Sequence, residues 1–261
     1  MAESDRRGRR TDVVLGVQRT RAGGTRGLPP ARQLTPEEPT GGLLRDVPNH
    51  GVPHRDVPNH GVPHREVPTR RGPARVRIDA PAGEPRSLLV LGHGAGGDVD
   101  APDLVAVTAA AVRAGVLVAR VTQPYRVAGR RAPAPANHLD EAWVDVVRDL
   151  DPQLPLVVGG RSSGARVACR TAAELDAAGV LALAFPTHPP GKPERTRVDE
   201  LPLDRPTLVL NGDRDPFGVP PIVGEMTLHV LPGADHGLKK AAGAAADLAL
   251  EWLRAHSWAA P

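Results

Sequence analysis

From Pro73 to the C-terminus, short apolar runs alternate with helical periods, and this alternation restricts the chain more than any other feature. Arg75–Ile78 alternates polar and apolar residues as a half-buried strand does, and Ser87–Leu91 is a short apolar run closed by Gly92. Leu104–Val112 carries apolar residues at helical spacing, and Val116–Val121 reads as a strand. Leu139, Ala142, Trp143, Val146, Val147 and Leu150 then form one helical stripe, with Asp140, Glu141, Asp145, Arg148 and Asp149 on the opposite, solvated face. Further strands are expected at Pro155–Val158, Val180–Phe185, Thr207–Asn211 and Thr227–Leu231. A helix is expected over Ser163–Leu175, and Ala245, Leu248, Ala249, Trp252 and Leu253 mark a final one. Strands separated by helices pair in parallel and need cover on both faces, so the fold class is α/β with a mostly parallel sheet.

The rest of the composition fits that reading. Aromatic residues make up only 2% of the chain, so the core must be built from Ala, Val and Leu. The single cysteine, Cys169, excludes an internal disulfide and a cysteine zinc site. It falls two helical turns after Ser162 and, with Ala165 and Ala172, reads as a small core-facing residue.

Residues 1–72 differ in kind. They hold 13 basic and 8 acidic residues, against 20 and 22 in residues 73–261, so the basic character of the chain belongs to this first block. RDVPNHGVPH occurs at 45–54 and again at 55–64, and a third copy decays after Arg65-Glu66-Val67-Pro68. So few short, polar, Pro-bearing copies do not stack into a solenoid, and a disordered leader is expected over residues 1–72. The repeat spaces His50, His54, His60 and His64 regularly. Gly-Val-Pro breaks the helix that would align them, however, and no acidic or thiolate group completes a shell, so no metal is expected. Thirteen positive charges without an aromatic platform weigh against a nucleic-acid partner. The apolar run Val13–Val17 is too short for an export signal and no run approaches a membrane span, so the expected location is the cytoplasm. The pattern specifies no oligomeric state.

In an open parallel sheet, ligands bind beyond the carboxyl ends of the strands. The unusual chemistry of the chain gathers there. Gly92-His93-Gly94-Ala95-Gly96-Gly97, Gln123-Pro124-Tyr125-Arg126, Gly160-Arg161-Ser162-Ser163-Gly164, Pro186-Thr187-His188, Gly212-Asp213-Arg214-Asp215 and Asp235-His236-Gly237 each follow an expected strand. Gly160-x-Ser162-x-Gly164 lies between a strand and a helix, as a nucleophile elbow requires, and its flanks must be nearly free of side chains for the serine to project. An acid and then a histidine follow on later strands, in the Ser…Asp…His order of α/β-hydrolases.

The expected roles follow from that order. Ser162 attacks a carbonyl, His236 accepts its proton, and Asp215 orients the imidazole. The backbone N–H groups of Ala95 and Ser163 would receive the oxyanion. Asp213 is the alternative acid; Asp215 is preferred from its place before Pro216 on the outgoing turn. His93 is expected to pack and hydrogen-bond within the oxyanion loop. Tyr125, Arg126, Arg161 and His188 are the further candidates for substrate contact, with His93 beside them. No cofactor is expected.

Taken together, LGHGAGGD, QPYR with GRRAP, GGRSSGAR, FPTHPPGKPE, LNGDRDPFG and DHGLKK resemble the α/β-hydrolase-like family of testis-expressed protein 30 and the non-specific lethal complex subunit, which includes small dienelactone-hydrolase-like bacterial proteins. The resemblance covers about residues 75–255, and Ser163-Gly164-Ala165 departs from the Met and two Gly that many relatives carry after the serine. It implies a lidless domain with the triad Ser162, Asp215 and His236. Independently, the Pro-rich stretch from Pro186 to Pro206 is too short for a helical cap. The leading expectation is a serine hydrolase acting on a small carboxylic ester, thioester or lactone through an acyl-enzyme. The alternative is a non-catalytic binding or scaffold module that keeps the hydrolase fold.

Overall fold

The computed structural model describes residues 64–261. Among them an eight-stranded sheet has the order β1-β2-β4-β3-β5-β6-β7-β8. The strands are β1 (Arg65–Val67), β2 (Ala74–Asp79), β3 (Ser87–Gly92), β4 (Val116–Thr122), β5 (Leu156–Arg161), β6 (Gly179–Leu183), β7 (Thr207–Gly212) and β8 (Met226–Leu231). The helices are α1 (Pro102–Arg113), α2 (Pro124–Val127), α3 (Ala136–Asp149), α4 (Ser163–Thr171) and α5 (Ala242–Ala255). From β4 through β8 every pairing is parallel, while β2 runs antiparallel to both β1 and β4. The expected strands are all present, which bears out the α/β-hydrolase architecture. No helix among the described residues is long and apolar enough to cross a membrane.

Both sheet faces are covered, which is why β3, β5, β6 and β7 are apolar nearly throughout and do not alternate. One core lies under α3 and α4 and includes Val90, Trp143, Val158, Val167 and Ala182. The other lies under α1 and α5 and includes Leu89, Leu104, Leu181, Leu208 and Leu253. Small residues let the layers approach closely. A Cβ on Gly159 would sit 2.5 Å from the Leu181 carbonyl oxygen of the neighbouring strand. The stretch from Pro186 to Pro206 contains only a single 3-10 turn, Val198–Glu200, so no cap domain covers the sheet edge among the described residues.

The start of the sheet corrects the boundary expected at residue 72. Arg65–Val67 already forms a strand, in register with Val76, Arg75 and Ala74. Val67 is fully buried, while Arg65, Arg70 and Arg71 pair with Asp149, Asp145 and Glu141 on α3. An exposed ion pair is worth at most about 1 kcal/mol, whereas burying a valine is worth roughly 1.5–3 kcal/mol. Val67 therefore anchors the segment and the arginines set its register. The acidic face of α3, expected to be bare, is strapped by these arginines and, at Asp140, by Arg170. The remainder of the expected leader, with His50, His54 and His60, lies outside the described residues.

Candidate active site

The elbow forms where β5 meets α4. Ser162 adopts φ 52° and ψ −110°, a sparsely populated conformation whose cost is of the order of 1–3 kcal/mol. Its neighbours must be glycine. A Cβ on Gly160 or Gly164 would lie 2.4 or 2.3 Å from the Gly92 carbonyl oxygen at the end of β3. The Ser162 N–H donates to the Leu183 carbonyl at 2.9 Å, which fixes the turn to β6.

Loops after β7 and β8 bring two more residues to the serine. His236 Nε2 lies 2.8 Å from Ser162 Oγ, and His236 Nδ1 lies 2.8 Å from Asp215 Oδ2. The geometry fits a hydroxyl donating to Nε2 and Nδ1–H donating to the carboxylate. Asp215 is held in turn. Its Oδ1 accepts the Phe217 N–H at 2.8 Å, and the fully buried Asn211 ties Phe185 and Gly218 to the same turn. Asp213, the alternative acid, is exposed, while the Asp215 side chain is buried.

These residues open into a cavity of about 600 Å3 whose wall includes Ala95, Ser162, Ser163, Phe217 and His236. Ser163 stands at the first turn of α4, where a helix leaves its N–H groups without internal partners. The Ala95 N–H donates to no loop carbonyl among the described residues. Both expected oxyanion donors therefore border the cavity.

The remaining candidates fall behind the cavity or beside it. Tyr125 does not line it; its hydroxyl donates to the Ala95 carbonyl at 2.7 Å and braces that loop from below. Burial pushes its phenol up to about 12, so it stays a neutral donor. His93 is buried, with Nδ1 2.8 Å from the Gly94 carbonyl and Nε2 accepting the Gln123 N–H at 3.1 Å. That pattern requires the neutral ring, and burial lowers its proton affinity. It packs inside the loop and does not line the cavity that holds Ser162.

Arg126 points to a separate, smaller cleft with Arg75 and Arg77. His188 bonds the Pro189 carbonyl and packs near Phe217 without lining the cavity. Arg161 does border the cavity, but its guanidinium is engaged: Nε bonds Asp103 Oδ2 at 2.9 Å and Nη2 bonds the His236 carbonyl at 2.8 Å. Cys169 is buried and its thiol is pushed up to about 12 by burial, consistent with a core residue.

Sequence reasoning missed Asp103, Arg166, Arg197, Asn211 and Phe217. The Phe217 ring meets the His236 ring edge-on at 4.5 Å, limiting imidazole rotation. Its position directly after Asp215-Pro216 was the available signal. Asp103 opens a helix in the middle of the chain, and nothing local marks it.

Comparison with known proteins agrees with this architecture. The alpha/beta hydrolase domain family matches residues 85–258, more than half of the chain. No curated protein sequence is significantly similar. Among solved structures, the chain is similar to XC6422 from Xanthomonas campestris, described as a serine hydrolase without lid, at 20% identity and TM-score 0.62. That match covers 79% of this chain and all of the other. It is also similar to a dienelactone hydrolase from Anabaena variabilis, at 20% identity and TM-score 0.59, with 74% and 96% covered. Est1E from Butyrivibrio proteoclasticus matches at 18% identity and TM-score 0.58, with 73% and 99% covered. With its mostly parallel sheet and its elbow between β5 and α4, the chain belongs to the alpha/beta hydrolase domain family.

Proposed function

We propose that the protein is a serine hydrolase that cleaves a small carboxylic ester, thioester or lactone through an acyl-enzyme. The observation that carries this reading is the unbroken relay Ser162 Oγ, His236 and Asp215, with both links at 2.8 Å. In the first step Ser162 Oγ bonds to the carbonyl carbon while His236 Nε2 takes the hydroxyl proton. Negative charge on the carbonyl oxygen is received by the N–H groups of Ala95 and Ser163, each worth about 3–4 kcal/mol of barrier. The tetrahedral adduct then expels the alcohol or thiol, which takes the proton from His236 and leaves an acyl-serine. Water, deprotonated by the same imidazole, attacks that acyl group and releases the acid and free Ser162. A lactone follows the same course with both products on one molecule.

An open cavity, with no cap among the described residues, favours short or flexible acyl groups over buried long chains. Similarity to an esterase from Pyrobaculum calidifontis and to the Anabaena dienelactone hydrolase supports this class. The finer kinship with the testis-expressed protein 30 and non-specific lethal subunit group, read from the HPPGKP and QPYR stretches, belongs to the same proposal.

A fluorophosphonate probe should label the wild type and leave Ser162→Ala unlabelled, and a p-nitrophenyl ester panel should then give Ser162-dependent turnover. Equal labelling of both proteins, with no turnover of any activated ester, would favour the scaffold alternative.

A further inference from the structure

The cavity wall has an unbalanced charge. Arg161, Arg166 and Arg197 line it, and among the described residues no aspartate or glutamate does. Two of the three guanidinium groups are already engaged. Arg161 holds Asp103 and the His236 carbonyl. Arg166 is bound to Glu200 through two nitrogens, with Nε to Oε2 at 2.7 Å. Glu200 is shared further, since Arg170 Nη1 also reaches its Oε2 at 3.0 Å while Arg170 grips Asp140. Arg197 meets no carboxylate among the described residues, and its one side-chain bond is a long contact, 3.3 Å, to the His188 carbonyl. Its main chain is fixed all the same, because the Arg197 N–H donates to the Thr187 carbonyl at 2.8 Å across the rim.

The neighbourhood is therefore positive and short of one anion. Among the described residues, Arg166 and Arg170 share Glu200 and Asp140, and Arg197 is the member with no carboxylate partner. Partial burial and the nearby Arg166 lower its proton affinity, with Glu200 opposing them. A guanidinium offers a planar fork that suits a carboxylate or a phosphate, and it opens onto the same cavity as Ser162.

We propose that Arg197 is the anchor of an anion subsite, so that the ester hydrolysed at Ser162 carries a second, free oxyanion group on its acyl portion. This rests on the hydrolase reading and deepens it. The acyl-serine formed would be a half-ester of a diacid, or its phosphonate counterpart, and the product would be a dianion. Arg197 takes no part in bond making; it positions the acyl chain and selects it by charge.

The test compares p-nitrophenyl hydrogen glutarate and the p-nitrophenyl ester of 4-phosphonobutyrate with neutral p-nitrophenyl valerate. The ratio of kcat/KM for an anionic ester over the neutral one should exceed 10 in the wild type and fall tenfold or more in Arg197→Gln. Arg197→Lys, which keeps a point charge without the fork, should retain part of it. Raising salt from about 50 to 500 mM should shrink the wild-type ratio. Which anionic ester shows the Arg197-dependent gain identifies the group as carboxylate or phosphonate. A wild-type preference for the neutral ester, or a ratio unmoved by Arg197→Gln, overturns the proposal.

A second arm does not need turnover. Monomethyl glutarate binding to Ser162→Ala, measured by calorimetry, should be lost on adding Arg197→Gln. If no ester is cleaved but this binding depends on Arg197, the hydrolase reading fails and the subsite stands. If neutral esters are cleaved through Ser162 with no Arg197 dependence in either arm, the subsite fails alone.

Discussion

Arg161 Nη2 donates to the main-chain carbonyl of His236 at 2.8 Å, so the residue before the serine also holds the loop that carries the imidazole. The same guanidinium is held by Asp103 at the start of α1, whose side chain is fully buried. Burial pushes the Asp103 carboxyl up, with Arg161 opposing the shift. One side chain thus links the elbow, α1 and the histidine loop.

Releasing that link should cost catalysis by misplacement. Arg161→Gln should lower kcat on a neutral ester about ten- to hundredfold with a smaller change in KM, since a displacement near 1 Å at the reacting groups is worth about that much. Asp103→Asn, which leaves Arg161 in place but weakens its anchor, should fall between it and the wild type. A change confined to KM would show that Arg161 contacts substrate instead of positioning His236.

The two candidate acids separate cleanly by burial. Asp215→Asn should reduce kcat by about 10^3–10^4-fold, because an amide cannot hold the imidazole in the required tautomer. Asp213→Asn, at an exposed position, should stay within about threefold of the wild type. The pair is read by steady-state esterase kinetics on matched preparations.

His93 should give stability an acid limb. Its ring is buried neutral and its folded pKa lies below the ordinary 6.5, so below that pH the unfolded chain binds a proton that the folded chain refuses. Stability therefore rises with pH through this window and is lost on acidification, by up to about 1.4 kcal/mol per pH unit until the folded ring protonates. Urea midpoints at pH 7.5, 6.5 and 5.5 should fall with pH in the wild type and fall less in His93→Gln. Parallel slopes would assign the acid limb elsewhere.

Gly164 should tolerate no side chain. A Cβ there would meet the Gly92 carbonyl oxygen at 2.3 Å, backbone against backbone, whereas one on Gly83 would meet nothing within 4 Å. Gly164→Ala should cost about 2–3 kcal/mol, a fall in Tm of roughly 5–10 °C, against little change for Gly83→Ala. Differential scanning calorimetry distinguishes them.

The parallel sheet and the Ser162–His236–Asp215 relay were legible because each leaves a local mark: apolar runs of strand length, a glycine-flanked serine, and an acid and histidine after late strands. Arg161 was expected as a substrate contact; it borders the cavity, with its guanidinium bonded to Asp103 and the His236 carbonyl. Its direction depends on Asp103, which is 58 residues away in sequence. Tyr125 was likewise placed at the right edge, yet its ring turns under the Ala95 loop instead of toward the cavity. Arg197 left no mark, since one arginine among many in a Pro-rich rim is distinguished only by which neighbours already have partners. The segment 65–71 was read as leader because its composition continues the repeat. Only the burial of Val67 and the ion pairs to α3 separate it from what precedes it.

That short first strand acts as a selvedge for the sheet. Without Arg65–Val67, the outer hydrogen-bonding groups of β2 would stand open along Ala74–Val76, the kind of template on which a second chain adds itself. The acidic side of α3 would lose three counter-charges at the same stroke. Trimming the protein at residue 72, where the composition changes, would therefore give a stickier molecule than trimming it at residue 63.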